Sequence, residues 1–185
     1  METNKLLKRI RHIATILFLI VGVLILSGCM TYAGKDGPYF GRIVDKETRQ
    51  PLEGVVVVGN WGIAQWGSTT YYDSYETVTD REGNFTIPGQ GIQVFSDLTQ
   101  LQLFILKAGY EDISGYVWNT VGLPLGWDGD RMVIGLRKLS MEERRKRIPG
   151  IASGPKSKQH LLINEINKEL SETGRSGRIN MEEMK

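Results

Sequence analysis

The sequence predicts an all-β protein, a seven-stranded β-sandwich followed by a short helical tail. Between residues 39 and 139, short runs rich in β-branched and aromatic residues alternate with turn residues, and no helical periodicity intervenes. Two of these runs have apolar residues on both parities, as expected of central strands covered on both faces. After residue 140 the spacing of apolar residues becomes helical. Short strands without helices between them pack as two facing sheets.

The seven strands are predicted at residues 40–45, 55–60, 75–79, 84–87, 101–107, 113–118 and 131–138. The runs 55–58 and 101–106 are the ones with apolar residues on both parities, and they are assigned to central positions. Residues 77–79 and 84–87 alternate between apolar and polar, which is typical of half-buried strands. Asp80-Arg81-Glu82-Gly83 between them supplies turn residues, with Gly83 suited to a positive φ.

The tail, residues 140–185, is predicted to hold two helices. Ser140-Met141-Glu142-Glu143 matches a capping box, and the helix that it begins should end at Pro149-Gly150. A linker at 151–155 leads to a second helix over 156–172, with Gly174 as its C-cap. One stripe of that helix is apolar and consists of Leu162, Ile163, Ile166 and Leu170.

The amino-terminal segment has the pattern of a secretory signal peptide over residues 1–28. Four basic residues, Lys5, Lys8, Arg9 and Arg11, precede an uncharged run at 13–26. A helix over that run would span about 21 Å at about 1.5 Å per residue, which is less than the roughly 30 Å of a bilayer's hydrocarbon core. A removable signal is therefore favoured over a permanent transmembrane helix.

The run ends in Leu26-Ser27-Gly28-Cys29, which resembles the lipobox of bacterial lipoproteins. The resemblance implies cleavage between Gly28 and Cys29, a diacylglycerol thioether on Cys29 and an acyl chain such as palmitate on the new amino terminus. Several acyl chains hold a protein on a membrane, at about 0.8 kcal/mol per buried CH₂. Residues 29–38 are then a lipidated tether. Met30, where enteric-type bacteria place Asp for inner-membrane retention, implies the outer membrane, facing the periplasm.

The residue inventory argues against catalysis and metal binding. The chain has one cysteine and two histidines, which excludes an intramolecular disulfide and a Cys/His zinc site. His12 lies in the signal peptide and His160 in the tail, so the predicted sandwich has neither a His-based triad nor a Cys-His pair. The acidic segments 80–84 and 128–130 are predicted to be turns and not calcium loops. The sequence therefore predicts no enzyme, no metal and no cofactor.

Four motifs in the predicted sandwich occur in the order seen in the carboxypeptidase regulatory-like domain, which residues 39–139 resemble. They are Gly41-Arg42-Ile43-Val44-Asp45, the segment from Thr48 to Val55, Thr77 to Phe85, and Lys107-Ala108-Gly109-Tyr110. The resemblance implies a transthyretin-like, Greek-key sandwich. The chain departs from the family pattern at 59–74, 88–100 and 122–130, where long loops are predicted.

Aromatic residues cluster in or beside these three segments, and two interpretations of them stay open. As exposed platforms they could stack on sugar rings or anchor a protein partner. Alternatively they fold inward as a small core that orders a long loop, as large rings commonly do. The candidate ligand-binding residues are Trp61, Trp66, Tyr71, Tyr72, Trp118 and Trp127, with Tyr75 beside them.

The net charge of +2 divides unevenly along the chain. Without residues 1–28 it becomes −1, with 19 basic and 20 acidic residues. Residues 30–136 carry −6 and residues 137–185 carry +5, which suggests that the tail docks on its own domain or on an acidic partner. The basic cluster Arg144-Arg145-Lys146-Arg147 either binds lipid phosphates or is a solvated helix face, with Glu142 and Glu143 paired to Lys146 and Arg147.

These observations predict a membrane-anchored periplasmic lipoprotein whose sandwich acts as a non-catalytic binding or scaffolding module of the cell envelope. One alternative is a glycan-binding module that uses the loop aromatics. Another is a lipoprotein component of an envelope secretion or assembly machine, because some lipoproteins of secretion systems resemble this fold. The expected partners are the membrane, envelope proteins or glycans, and no nucleic acid.

Overall fold

The computed structural model describes residues 9, 11–22, 33–94, 96–116, 125–175 and 179. The chain divides into two compact units, one made of residues 1–36 with 92–96 and the other of residues 37–91 with 97–185. Helix α1 (11–22) lies in the first unit. None of the helices in the described part of the chain combines the length and hydropathy that crossing a bilayer requires. Gly28, Cys29 and Trp118 lie outside the described residues.

A two-stranded sheet is formed by β1 (Ala33–Asp36) and β6 (Gly91–Val94). The long loop predicted at 88–100 is therefore wrong where β6 lies, and β1 falls within the predicted tether. Both strands have only four residues, too few for an alternating pattern to stand out from loop sequence. Ile92 and Val94 are nevertheless β-branched and project into solvent, where they support strand geometry without contributing to a core.

The second unit contains two four-stranded sheets, and the β-sandwich that the sequence predicts is confirmed in this general form. Sheet I has the order β5-β2-β10-β9, and sheet II has the order β4-β3-β7-β8. Strands β2 and β10 pair in parallel, whereas the other pairs are antiparallel. The strands are β2 (Tyr39–Asp45), β3 (Val56–Gln65), β4 (Ser68–Val78), β5 (Asn84–Ile87), β7 (Gln102–Leu106), β8 (Ile113–Tyr116), β9 (Leu125–Asp128) and β10 (Arg131–Leu136).

Each of the seven predicted strands has a counterpart, but the described residues form ten strands in all. Besides β1 and β6, the additional strand is β9, which occupies part of the predicted loop 122–130. The predicted loop 59–74 is also wrong, because β3 and β4 continue through it as one hairpin that turns at Trp66-Gly67. Gly67 has a φ of 77°, which allows this tight turn, and the threonines and tyrosines that follow have high strand propensity.

The main core lies between the two sheets and collects the inward-facing residues of alternating positions. It includes Ile43, Val57, Phe85, Ile105 and Ile134, all nearly or fully inaccessible to solvent. Gly41 in β2 makes room for the ring of Phe85, because a Cβ built on Gly41 would lie 2.2 Å from Phe85 Cζ. A glycine is required here by the close approach of an aromatic ring.

Gly41→Ala is therefore expected to destabilise the sandwich by about 1–3 kcal/mol, because the ring of Phe85 is enclosed by the core and cannot move aside without strain. Urea denaturation measures this loss. Gly34→Ala is the matched control, since its added methyl group meets nothing within 4 Å. Equal stability of the two variants would contradict the packing described here.

The tail covers the outer face of sheet II. Val56, Val58, Phe104 and Leu106 face outward and pack against Ala152, Leu162 and Ile166 of the tail. The central strands β3 and β7 are thus buried on both faces, which explains why the run 55–58 is apolar at every position. The predicted docking of the tail on its own domain is confirmed, with an apolar seam at its centre.

The tail helices are α2 (Met141–Lys146) and α3 (His160–Glu172). The predicted capping box is confirmed: Ser140 and Glu143 each bond the other's backbone N–H. The predicted single helix over 156–172 is instead a 3₁₀ turn at Lys156–Lys158 followed by α3. The break falls at Gln159. Its buried side-chain amide donates a hydrogen bond to the backbone carbonyl of Ser153 in the linker. Thr173 is the C-cap of α3 and Gly174 follows it with a φ of 73°, closing a Schellman motif through Arg175 N–H and Leu170 O.

Candidate functional site

A cavity of about 190 Å³ lies beside the β3–β4 hairpin of sheet II. Its walls come from strands β3, β4 and β7, from the segment before β7, and from the tail linker. Hydroxyl groups, amides and two aromatic rings line it. None of its described lining residues carries a carboxylate, ammonium, guanidinium or imidazole group. The lining residues are Asn60, Trp61, Gly62, Thr69, Thr70, Tyr71, Thr99, Gln102 and Ser153.

Asn60 is the residue that gives this cavity a free hydrogen-bonding group. It follows Val56 and Val58 on the outward parity of β3 and stands directly opposite Gln102 of β7, so both side chains lie on the face that the tail covers. Asn60 is 5% exposed, and within the described part of the chain its Oδ1 accepts no hydrogen bond. A buried acceptor without a partner costs about 1–3 kcal/mol, so a donor from a ligand or from water would be bound favourably.

Trp61 lies in the core between the sheets and is 2% exposed. Of the two open interpretations, the inward one holds for Trp61, because it shares the inward parity of Val55 and Val57 and so places its indole in the core. Its Nε1 is buried and has no hydrogen-bond partner among the described residues. Trp61 can therefore contribute to a ligand site only as part of the cavity wall.

The other described aromatic candidates divide between the cavity and the surface. Trp66 is fully exposed at the tip of the β3–β4 hairpin, and Tyr72 and Trp127 are about half exposed on β4 and β9. Tyr71 lines the cavity instead: its hydroxyl is 3.1 Å from Ser74 Oγ, and its ring packs on Gly154 of the linker. The structure thus brings Trp61 and Tyr71 together at the cavity, whereas Trp66, Tyr72 and Trp127 point to solvent.

The tail linker forms one side of the cavity and is held there by polar contacts. Gln159 Nε2 donates to Ser153 O at 2.7 Å, which fixes the linker from within the tail. The Lys158 ammonium pairs with Asp73 on β4 and lowers the pKa of that carboxyl group. Glu76, also on β4, accepts hydrogen bonds from the first free N–H groups of α3, at 3.0 and 2.9 Å. The cavity is therefore preformed.

Glutamates of α3 fix the tail to the turn that follows β7. Glu165 accepts a hydrogen bond from Ala108 N at 2.7 Å, and Glu169 accepts one from Gly109 N at 2.8 Å. Glu169 also receives the guanidinium of Arg144, with Nη2 at 2.7 Å from Oε2. Burial by itself would raise the pKa of Glu169, but the hydrogen bonds from Arg144 and Gly109 outweigh it and lower that pKa below the usual 4.5.

The basic cluster of α2 is largely used by these intramolecular contacts. Lys146 pairs with Glu142 at 2.6 Å, as predicted. The predicted pairing of Glu143 with Arg147 is wrong: Glu143 binds Arg137, and Arg147 binds Asp112 at 2.6 Å. The spacing of charges within one helix cannot reveal partners on other elements. Here Glu143 and Arg147 pair with such partners and not with each other. The positions of these side chains favour tail attachment over binding of lipid phosphates.

The lowered pKa values predict that acid weakens the tail's attachment. Arg137 and the Ser140 cap lower the pKa of Glu143 to about 2, with the Ser140 backbone hydrogen bond the larger cause, and that of Glu169 is lowered as well. A carboxyl group whose pKa is lower in the folded state stabilises the fold above its unfolded pKa, and this contribution is lost as pH falls through the folded value.

Stability should therefore stay level from pH 7 to pH 5 and fall from about pH 4.5 toward pH 2. Urea denaturation at intervals of one pH unit measures the change. Glu169→Gln should flatten part of this dependence, because it removes one of the titrating groups. A variant with the same acid dependence as the unmodified chain would contradict this assignment.

No group of three His, Cys, Asp or Glu residues that could hold a metal ion occurs in the described part of the chain. The two acidic segments are turns, as predicted. Asp80 Oδ1 accepts from Asn84 N at 2.7 Å, and Asp128-Gly129-Asp130 connects β9 to β10 with a φ of 63° at Gly129. His160 is exposed at the start of α3.

Sequence reasoning missed most of the cavity residues, which are threonines, a serine and two amides. The available signal was Asn60, a polar residue that directly follows four valines and Gly59 in a strand that should be covered on both faces. A polar residue that is forced into a buried face needs a hydrogen-bond partner. Ser153 had no comparable signal, because its position depends on how the tail docks.

The fold and the cavity define a β-sandwich protein with a neutral polar cleft. Neither protein-family models nor curated proteins match this sequence. Among solved structures, a streptococcal ancillary pilin superposes with a TM-score of 0.33 and 15% identity, over 57% of this chain and 30% of that one. A 9R-lipoxygenase from Cyanothece PCC8801 superposes with a TM-score of 0.30 and 13% identity, over 80% of this chain and 26% of that one. The chain thus spans less than a third of either protein's length.

Proposed function

We propose that this chain is a membrane-anchored periplasmic lipoprotein that acts as a non-catalytic binding module of the bacterial cell envelope. The observation that carries the proposal is the order of basic residues, apolar run and Leu26-Ser27-Gly28-Cys29 at the amino terminus. Cleavage before Cys29 and its lipidation leave the sandwich on a short tether at the membrane. The outer membrane, facing the periplasm, is the proposed location.

A binding role is supported by the distribution of reactive groups. The cavity contains no acid–base pair, nucleophile–base pair or metal-binding set among its lining residues, whereas it offers hydrogen-bonding groups and aromatic walls. These are properties of a recognition site. In the proposed role, the protein therefore holds a partner near the membrane and carries out no reaction on it.

The proposed sandwich belongs to the transthyretin-like, Greek-key class, with the carboxypeptidase regulatory-like domain as the relevant family. The ordered motifs from Gly41 to Tyr110 support this assignment. Further support comes from the parallel pairing of β2 and β10, which are the first and last strands of sheet I in chain order. This pairing requires the chain to cross between the sheets before it returns. The strands β1, β6 and β9 are additions to that seven-stranded plan.

Fractionation of cells that produce the full chain tests the membrane attachment. The protein should sediment with membranes, resist extraction by high salt and alkaline carbonate, and dissolve in detergent, because acyl chains hold it through hydrophobic burial. Density separation should place it with the outer membrane. Release by salt alone would contradict lipid anchoring, and recovery in the inner-membrane fraction would contradict the location.

A second candidate function is glycan binding by the exposed rings. Trp66, Tyr72 and Trp127 project into solvent, and aromatic faces stack on the apolar faces of sugars. Envelope polysaccharide or peptidoglycan fragments should then change the tryptophan fluorescence of the purified protein. An unchanged spectrum over the whole titration would exclude this candidate, and Trp66→Ala would identify the hairpin tip as its site.

A further inference from the structure

We infer that the cavity between β3, β4 and the tail linker is a binding site for one uncharged sugar residue. This inference rests on the proposed binding function and assigns it to a different surface from the exposed rings. The site is defined by Asn60 at its base, hydroxyl groups on its walls and Ser153 on the linker.

The cavity contains a buried hydrogen-bond acceptor that has no partner within the described part of the chain. Asn60 is more than nine-tenths buried, lines the cavity, and its Oδ1 has no partner among the described residues. A ligand that places an O–H or N–H group at this oxygen removes the cost of an unpaired acceptor. Sugar hydroxyls and the acetamido N–H of an amino sugar are donors of this kind.

The described lining of the cavity carries no charge. All described lining residues carry neutral side chains, and Asp73 of β4 and Lys158 of the tail are paired with each other. A charged ligand would lose its hydration in this cavity without gaining a counter-ion, which is strongly unfavourable. The site should therefore distinguish neutral sugars from sugars of similar size that carry a carboxylate or an ammonium group.

The size of the cavity and its access from solvent also fit a single sugar. A cavity of about 190 Å³ suits a single sugar ring better than a chain of rings. Thr69 and Thr70 are exposed on β4 and mark the opening. Trp61 and Tyr71 supply apolar walls, and the remaining groups supply hydrogen bonds, the combination that orients a small polar ligand.

Isothermal titration calorimetry of the purified full chain in detergent tests the inference. The probes are N-acetylglucosamine, which is neutral, N-acetylmuramic acid, which carries a carboxylate, and glucosamine, which carries an ammonium group. N-acetylglucosamine should bind with a millimolar dissociation constant, and each charged sugar should bind at least tenfold more weakly. Equal binding of all three, or no binding of the neutral sugar, would overturn the inference.

Two variants locate the site. Asn60→Leu keeps the branching and the number of heavy atoms of the side chain and removes the acceptor. Ser153→Leu fills the opening from the exposed linker without touching the core. Each should weaken binding of N-acetylglucosamine at least tenfold. A thermal melt checks that each variant is folded, and Ser153→Leu decides the outcome if Asn60→Leu does not fold.

Trp66→Ala is the matched control and should bind the sugar as the unmodified chain does. If Trp66→Ala abolishes binding while Asn60→Leu and Ser153→Leu retain it, the sugar binds the exposed rings and the cavity inference is wrong. Fractionation with membranes is independent of all three variants. Failure of sugar binding therefore overturns the cavity inference without touching membrane attachment.

Discussion

Glu169→Ala is expected to destabilise the second unit by about 3–5 kcal/mol and to release the tail from sheet II. The carboxylate is 2% exposed and holds both Arg144 and the backbone N–H of Gly109. Its removal leaves a guanidinium that is 11% exposed with only its outer partner, Glu172. Loss of one partner of a buried ion pair costs far more than the pair contributes net, because the remaining charge stays desolvated.

Urea denaturation and limited proteolysis measure this effect. The tail after residue 140 should be cleaved much faster in Glu169→Ala than in the unmodified chain. Glu172→Ala is the matched control, because it removes the other partner of Arg144. The Glu172 side chain is 42% exposed, so its removal should cost at most about 1 kcal/mol. Equal losses in the two variants would show that Glu169 does not hold the tail in the way described.

Cys29→Ala is expected to release the protein from the membrane fraction altogether. Only the cysteine sulfur can carry the thioether-linked diacylglycerol that the lipobox resemblance implies, so its loss removes the acyl chains and their hydrophobic burial. Quantitative immunoblotting of membrane and soluble fractions measures the shift. Ser27→Ala is the matched control and should remain with the membranes, because alanine is as small as the residue that it replaces. A Cys29→Ala protein that still sediments with membranes would indicate a retained apolar anchor.

Much of the sandwich could be predicted because its signals are local. The valines at 55–58 are apolar on both parities, and the structure explains this through a core on one face and the tail on the other. The Ser140 capping box and the turn at Asp80 depend on residues three or four positions apart, so sequence alone was sufficient. The same applies to the position of Gly174 after α3.

The errors concern structure that depends on distant partners. Strand β9 exists because β10 pairs with it, and its own four residues carry little signal. Arg147 binds Asp112, 35 positions away, although Glu143 stands at helical spacing. The cavity depends on the register between β3 and β7 and on the path of the linker, and neither can be read from the composition of the segments.

The tail also links the fold to the proposed binding site. Lys158, Gln159 and Glu76 hold the linker against β4, so the cavity keeps its shape only while the tail is docked. The variants that loosen the tail should therefore weaken sugar binding as well, although Glu169 does not line the cavity.

Intact mass spectrometry of the protein extracted from membranes with detergent tests membrane anchoring by Cys29 most directly. The account predicts a chain that begins at Cys29 and exceeds its polypeptide mass by a diacylglycerol and an amide-linked acyl group, with both additions on the first residue after fragmentation. A chain that retains residues 1–28 and carries an unmodified Cys29 would contradict it.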